Sequence, residues 1–128
     1  MNVPHLAALI TELNVVLLLV LSALVGRARG KYGINAPATT GNEEFERVFR
    51  VHANTIENTL VFLPALWMFA IYMNDLWAGI LGAVWLVGRV WYAVSYRRDP
   101  KSRGAGFLTG MLASGALLIG GLWGILRF

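Results

Sequence analysis

Two sets of polar side chains in this 128-residue chain are spaced so that each can act on one ligand. Arg50, Asn54 and Glu57 lie in FERVFRVHANTIENTLVFLPALWMFA, and Arg89, Tyr92 and Tyr96 lie in LVGRVWYAVSY. At about 100° per residue, each trio falls within an arc of roughly 60° on a helix and forms one stripe. Their types suit a small zwitterion: arginines donate paired hydrogen bonds to carboxylates, Glu57 accepts from an ammonium, and Asn54 meets an amide. The competing reading is structural. Glu57 could pair with Arg89 on a neighbouring helix and fix helix register without binding anything. Tyr96 has the alternative role of interfacial anchor, whereas Tyr92, one turn deeper, is better placed to hydrogen-bond a pocket occupant. Arg103, in a basic loop, reads by itself as a determinant of topology. His52 points away from the Arg50/Asn54 stripe and reads as a lining or packing residue.

The segments that must position these groups are apolar. Hydrophobic residues make up 57% of the chain and charged residues 14%, with mean hydropathy +0.60. This balance indicates a membrane protein, and the four helical runs read along it make the expected fold an all-α, integral membrane four-helix bundle in one domain over residues 1–128. Ionisable groups at membrane depth face a bundle interior or a wet cavity, so the stripes mark a site between helices. The chain has no cysteine, which excludes disulfides, a cysteine nucleophile and thiolate metal ligands. With only His5 and His52, no protein metal site is expected. The net charge of +4 is no nucleic-acid signal, because the cations sit in loops beside apolar runs. The N-terminal run lacks a preceding Lys or Arg and is too long for a signal-peptide core.

Four spans are expected. The first is Leu6–Val25, followed by a Gly- and Arg-rich loop, Gly26–Gly41. Thr40 and Glu43 have capping-box spacing and start helix two, which runs to about Met73 with a kink or loosening at Pro64. After a Met73–Asp75 turn, helix three covers about Leu76–Tyr96 and helix four Phe107–Leu126. Loop one carries Arg27, Arg29 and Lys31; loop three carries Arg97, Arg98, Lys101 and Arg103; loop two has only Asp75. The positive-inside rule places loops one and three, and with them the site, in the cytoplasm. Trp77 and Trp123 then fall at the outer interface, Trp91 and Tyr96 at the inner one. Gly106/Gly110 and Gly120/Gly124 have small-xxx-small spacing for packing within or between subunits. Glu12 is a lone acid that should pair across helices or lie near the outer interface.

The run TTGNEEFERVFRVHANTIENTLVFLPALWMFA resembles the hallmark of the MAPEG family, membrane-associated proteins in eicosanoid and glutathione metabolism. Its pattern E-R-x-x-R-x-x-x-N-x-x-E is met by Glu46, Arg47, Arg50, Asn54 and Glu57. GRVWYAVSY resembles the family's third helix, and the basic loop after it ends in Arg103. The resemblance implies a four-helix subunit assembling as a homotrimer, with glutathione bound between subunits on the cytoplasmic side. By that resemblance Arg50, Asn54, Glu57, Tyr92 and Tyr96 contact glutathione, Arg29 matches a basic residue ending helix one, and Arg89 belongs to the same binding face. Arg103 matches the arginine set against the thiol. The arginine at position 50 is missing from the non-enzymatic lipid-binding branch, so its presence implies an enzyme. Asn58 stands where leukotriene-forming members carry tyrosine, and His52 where they carry glutamine. His52 is similar to the prostaglandin E synthase branch, but Gly104 replaces the serine that there follows the loop arginine. Pro64 is also displaced. The implied activity is therefore a general glutathione transferase acting on hydrophobic electrophiles or lipid substrates, with lipid-hydroperoxide reduction as a further capacity. A glutathione-dependent isomerase, a non-catalytic lipid-binding scaffold and a small transporter are the alternatives.

Overall fold

A computed structural model describes residues 2–128. Among the described residues four α-helices follow one another: α1 (His5–Tyr32), α2 (Glu43–Tyr72), α3 (Asp75–Arg98) and α4 (Gly104–Leu126). A single 3₁₀ turn, Pro100–Ser102, joins α3 to α4. All four helices are long and apolar enough to cross a bilayer. Each presents large apolar side chains outward, among them Leu19, Leu60, Val87, Leu112 and Ile119. A water-soluble bundle would hide such residues. With lipid as solvent they need no cover, and the chain is an integral, multi-pass membrane protein.

The helices run up and down, so the end holding the α1–α2 and α3–α4 connections also holds most of the basic residues, and Arg127 lies at the other end against Met73. At the opposite end α2 turns directly into α3. There Asn74 caps α3 by accepting from the Trp77 amide. The Asp75 carboxylate reaches across to accept from the Leu6 and Ala7 amides, both at 2.9 Å. One acidic side chain thus satisfies two of the unpaired donors that open α1. Trp77 and Trp123 lie exposed at this end.

Several helix limits differ from the sequence expectation. The first helix does not stop at Val25 but continues to Tyr32, through Gly26 and Gly30. Val25 and Ala28 remain buried against Phe45 and Val48 while Arg27 faces outward, so packing carries the helix past its glycines. It stops at Gly33, whose φ of 66° is left-handed and whose amide bonds to Arg29 O. The second helix is capped by Asn42, which accepts from the Phe45 amide, and not by Thr40. Pro64 lies inside α2, which continues unbroken from Glu43 to Tyr72. The fourth helix begins at Gly104, three residues before the expected Phe107.

The core is layered along the bilayer normal. Phe62 and Trp85 stack face to face, centroids 3.9 Å apart, at its middle. Nearby, Asn14 is fully buried and donates toward Thr59 at 3.4 Å, and Trp67 donates to Thr11. These bonds fix α1 against α2 where lipid offers polar groups no partner. Two glycines of α4 serve close packing inside the chain: a Cβ at Gly106 would stand 2.5 Å from the Tyr92 amide nitrogen, and one at Gly124 2.8 Å from Tyr72 O. Gly88 of α3 faces Gly110 in the same way.

Candidate functional site

An open groove of about 630 Å³ lies at the basic end of the bundle, between α2, α3 and the start of α4. Its walls are Arg50 and Asn54 from α2, Tyr92 and Tyr96 from α3, and Lys101, Arg103 and Phe107 from the connection and α4. Five of the residues singled out in the sequence therefore meet at one opening, although they come from three separate segments. The two stripes bring this about. Arg50 and Asn54 of one stripe and Tyr92 and Tyr96 of the other line the opening, within about three turns of the basic helix ends, while Glu57 stays on the exposed face of α2.

Arg89 is not a wall of the groove. It is 2% exposed and donates through Nη2 to Asn54 Oδ1 at 2.7 Å and to Thr55 Oγ1 at 2.9 Å. Its guanidinium also lies 4.2 Å from the Tyr92 ring centroid. Both of the groove residues it touches are thereby held in place. No carboxylate pairs with this buried cation among the described residues, and its Nε has no partner. The expected alternative of a Glu57–Arg89 ion pair is not formed. Glu57 instead pairs with Arg50, two turns back on the same helix, at 3.1 Å.

The Asn54 amide has a defined orientation. Its Oδ1 accepts from Arg89 and, at 3.2 Å, from Asn58 Nδ2. The amide nitrogen is left as the free donor for the groove. Tyr92 packs against Tyr96 at 5.5 Å and Phe107 at 6.1 Å, which makes an aromatic wall beneath the cations. Arg103 donates to Pro100 O at 2.7 Å and sits 6.0 Å from the Tyr96 ring centroid. That carbonyl contact anchors the arginine at the mouth and leaves its remaining donors uncommitted.

Arg29 is not brought to this groove. Its Nη1 donates to Ile34 O and, at 2.7 Å, to Ala38 O, and its guanidinium covers the Phe45 ring at 4.9 Å. Within one chain it therefore ties down the α1–α2 loop. Glu57 likewise stands outside the groove wall, its side chain 57% exposed beside an Arg50 side chain 48% exposed. His52 is half-buried, and Glu12 is exposed on α1 without an ion pair among the described residues. Thr55, Asn58, Lys101 and Phe107 were not singled out for the site by sequence. Thr55 and Asn58 flank Asn54 by one and four residues, which is a signal for shared hydrogen bonding on a helix. Nothing in the sequence ties Phe107 to Tyr92.

No cluster of His, Cys, Asp or Glu suited to a metal occurs among the described residues. The arrangement is an anion site with an aromatic floor, in which charge recognition comes from arginine and polarity from one oriented amide. Such a site can hold a small carboxylate-bearing molecule and stabilise negative charge at the Arg103 end.

The chain is 56% identical over 119 residues to an uncharacterized protein of Synechocystis sp., covering 93% of this chain and 87% of that one. It is 45% identical over 83 residues to human microsomal glutathione S-transferase 2, spanning 65% of this chain and 56% of that protein. With leukotriene C4 synthase of Cavia porcellus it shares 38% identity over 98 residues, 77% of this chain and 65% of the relative. The chain thus spans little more than half the length of the human relative. The sequence model of the MAPEG family matches residues 7–123, nearly the whole of the four-helix bundle that builds the groove, and this chain belongs to the MAPEG family.

Proposed function

We propose that this protein is a membrane-bound glutathione transferase that joins glutathione, as an arginine-stabilised thiolate, to hydrophobic electrophiles. The observation that carries this reading is the groove itself, where Arg50, Asn54, Tyr92, Tyr96 and Arg103 converge from three segments. The relatives named for glutathione transfer and leukotriene C4 synthesis support glutathione as the occupant. Its carboxylates match Arg50 and the cations at the mouth, and its peptide matches the Asn54 donor and the Tyr92 hydroxyl.

In this mechanism the thiol, with an ordinary pKa near ~8.5, loses its proton to solvent at the open end of the groove. Arg103 stabilises the resulting thiolate, the form that attacks. Sulfur forms a bond to the electrophilic carbon, and the leaving group departs with its electron pair, or the acceptor's own π electrons take up the charge. Lowering the thiol pKa by ~2 units corresponds to about 2.7 kcal/mol, within reach of a guanidinium in a partly desolvated site. The electrophile arrives through the bilayer, so proximity supplies the remainder. Lipid hydroperoxides are a second acceptor class for the same thiolate, and detoxification is the physiological role this chemistry serves.

The assembly we infer is a homotrimer of single-domain subunits, with loops one and three and the groove facing the cytoplasm. The half-exposed Arg50–Glu57 pair favours it, since a charged pair on an outer helix face calls for protein cover rather than lipid. In such an assembly Glu57 and a neighbouring subunit's α1 end, where Arg29 resides, would complete the site. Arg27, Arg29 and Lys31 at one connection and Arg97, Arg98, Lys101 and Arg103 at the other support the orientation.

The test is glutathione-dependent turnover by the detergent-purified protein on a generic aromatic electrophile. Turnover in wild type and its loss in Arg103→Ala, with glutathione binding retained, is the expected result. A wild-type preparation that binds glutathione but never turns over would overturn the transferase and leave the isomerase or scaffold readings.

A further inference from the structure

A second recess, of about 200 Å³, opens at the basic end of the bundle and shares no wall residue with the groove. Arg27, Lys31 and Tyr32 of α1 line it together with Glu44 of α2 and Arg97 of α3, over a floor that includes Leu24. Among the described residues none of its three cations forms an ion pair, not even with Glu44. The Lys31 ammonium rests over the Tyr32 ring, 5.2 Å from its centroid, and both residues line the recess. Three cations against one carboxylate leave the recess with an excess of positive charge, and an anion between them lowers their mutual repulsion.

The position of the recess says which anion. Below it, α1 and α3 pack side by side through Leu21 and Ala93. At about 100° per residue, Leu13, Val20, Leu24, Arg27 and Lys31 fall within an arc of roughly 60° on α1. On α3, Leu86, Val90 and Arg97 fall within roughly 40°. Each helix therefore carries an apolar stripe that ends in cations at the same level. Leu13, Val20 and Val90 are exposed along these stripes, in the part of the helices that lipid surrounds. A free phosphate would use only the cations. A molecule with an anionic head and apolar chains uses the whole feature, as basic pockets between spanning helices do for anionic lipid heads.

We propose that the recess formed by Arg27, Lys31, Tyr32 and Arg97 is a specific site for an anionic phospholipid, its phosphate among the cations and its acyl chains along the α1 and α3 stripes. This site is independent of the glutathione reading, since no residue of the groove takes part. Glu44 is the one opposing charge and moderates the affinity.

The full-length protein, released from detergent into the gas phase under native conditions, is titrated with phosphatidylglycerol or with phosphatidylcholine of the same chains. Bound lipid is counted by mass, and inorganic phosphate is the competitor in a separate arm. One retained phosphatidylglycerol per subunit, in preference to phosphatidylcholine, is expected, undiminished by phosphate. Each interfacial cation contributes roughly fivefold, so Arg27→Gln, Lys31→Gln and Arg97→Gln together should reduce that preference about a hundredfold. Removing three cations from the helix ends can disturb membrane insertion, so Glu44→Gln is the second variant, and it should raise the preference about fivefold. Equal retention of the two lipids, displacement by inorganic phosphate alone, a triple variant with wild-type preference, or an unchanged Glu44→Gln would each overturn the proposal.

Discussion

Asn54→Asp separates the structural from the binding role of one side chain. In the wild type, Asn54 Oδ1 accepts from Arg89 at 2.7 Å and from Asn58 at 3.2 Å, which leaves the amide nitrogen as donor to the groove. Aspartate keeps an oxygen for both donors and adds a charge opposite a buried guanidinium that has no carboxylate partner. The fold should not suffer: the thermal midpoint in detergent is expected to equal or exceed that of wild type. The groove does suffer. It loses one donor hydrogen bond, about 1 kcal/mol, and leaves a ligand carbonyl facing an acceptor, about 1–3 kcal/mol more. The sum, about 2–4 kcal/mol, weakens glutathione at least roughly thirtyfold. Thermal unfolding and calorimetric titration of the same preparation read both quantities. Wild-type affinity in Asn54→Asp would refute the assigned amide orientation, and a large drop in the midpoint would refute the account of Arg89 as a cation able to accept a counter-charge.

Arg50→Ala removes a groove wall cation and should weaken glutathione binding by about 1.5–3 kcal/mol, roughly ten- to a hundredfold in Kd by titration. Gly106→Ala would set a methyl 2.5 Å from the Tyr92 amide nitrogen, whereas Gly115→Ala meets nothing within 4 Å. The first should lower stability by about 1–3 kcal/mol and impair turnover through the displaced Tyr92; the second should be neutral or slightly stabilising, both read by thermal unfolding in detergent. Asp75→Ala frees the Leu6 and Ala7 amides that its carboxylate now satisfies, and should cost about 1.5–3 kcal/mol with glutathione affinity unchanged, because the site is at the opposite end.

The four spans were legible in the sequence because a bilayer demands long apolar runs, and lengths alone separate them. The stripes were legible for a related reason: Arg50, Asn54, Arg89 and Tyr92 interrupt runs in which polarity is costly. Their partners were not. Arg89 could meet Glu57 or Asn54 by helical register alone, and only the rotation of α3 against α2 selects Asn54 and Thr55. That rotation depends on α2–α3 packing such as the Phe62–Trp85 stack, and apolar aromatics at these positions carry no sequence signal of which neighbour they meet. The end of α1 was misread for a simpler reason. Gly26 and Gly30 are weak helix formers, yet burial of Val25 and Ala28 against Phe45 outweighs about 1 kcal/mol per glycine. At the start of α2, Thr40 and Asn42 are both competent caps, and the extended backbone at Asn42 decides between them.

The central claim is that the groove holds glutathione as a thiolate stabilised by Arg103. The most direct measurement is the ultraviolet absorbance of the thiolate when glutathione is mixed with purified protein across a pH series, in wild type and in Arg103→Ala at saturating glutathione. The account predicts a bound thiol that ionises ~2 pH units below free glutathione in wild type and near the ordinary value of ~8.5 in the variant. Identical ionisation in the two proteins, with glutathione bound in both, would contradict it.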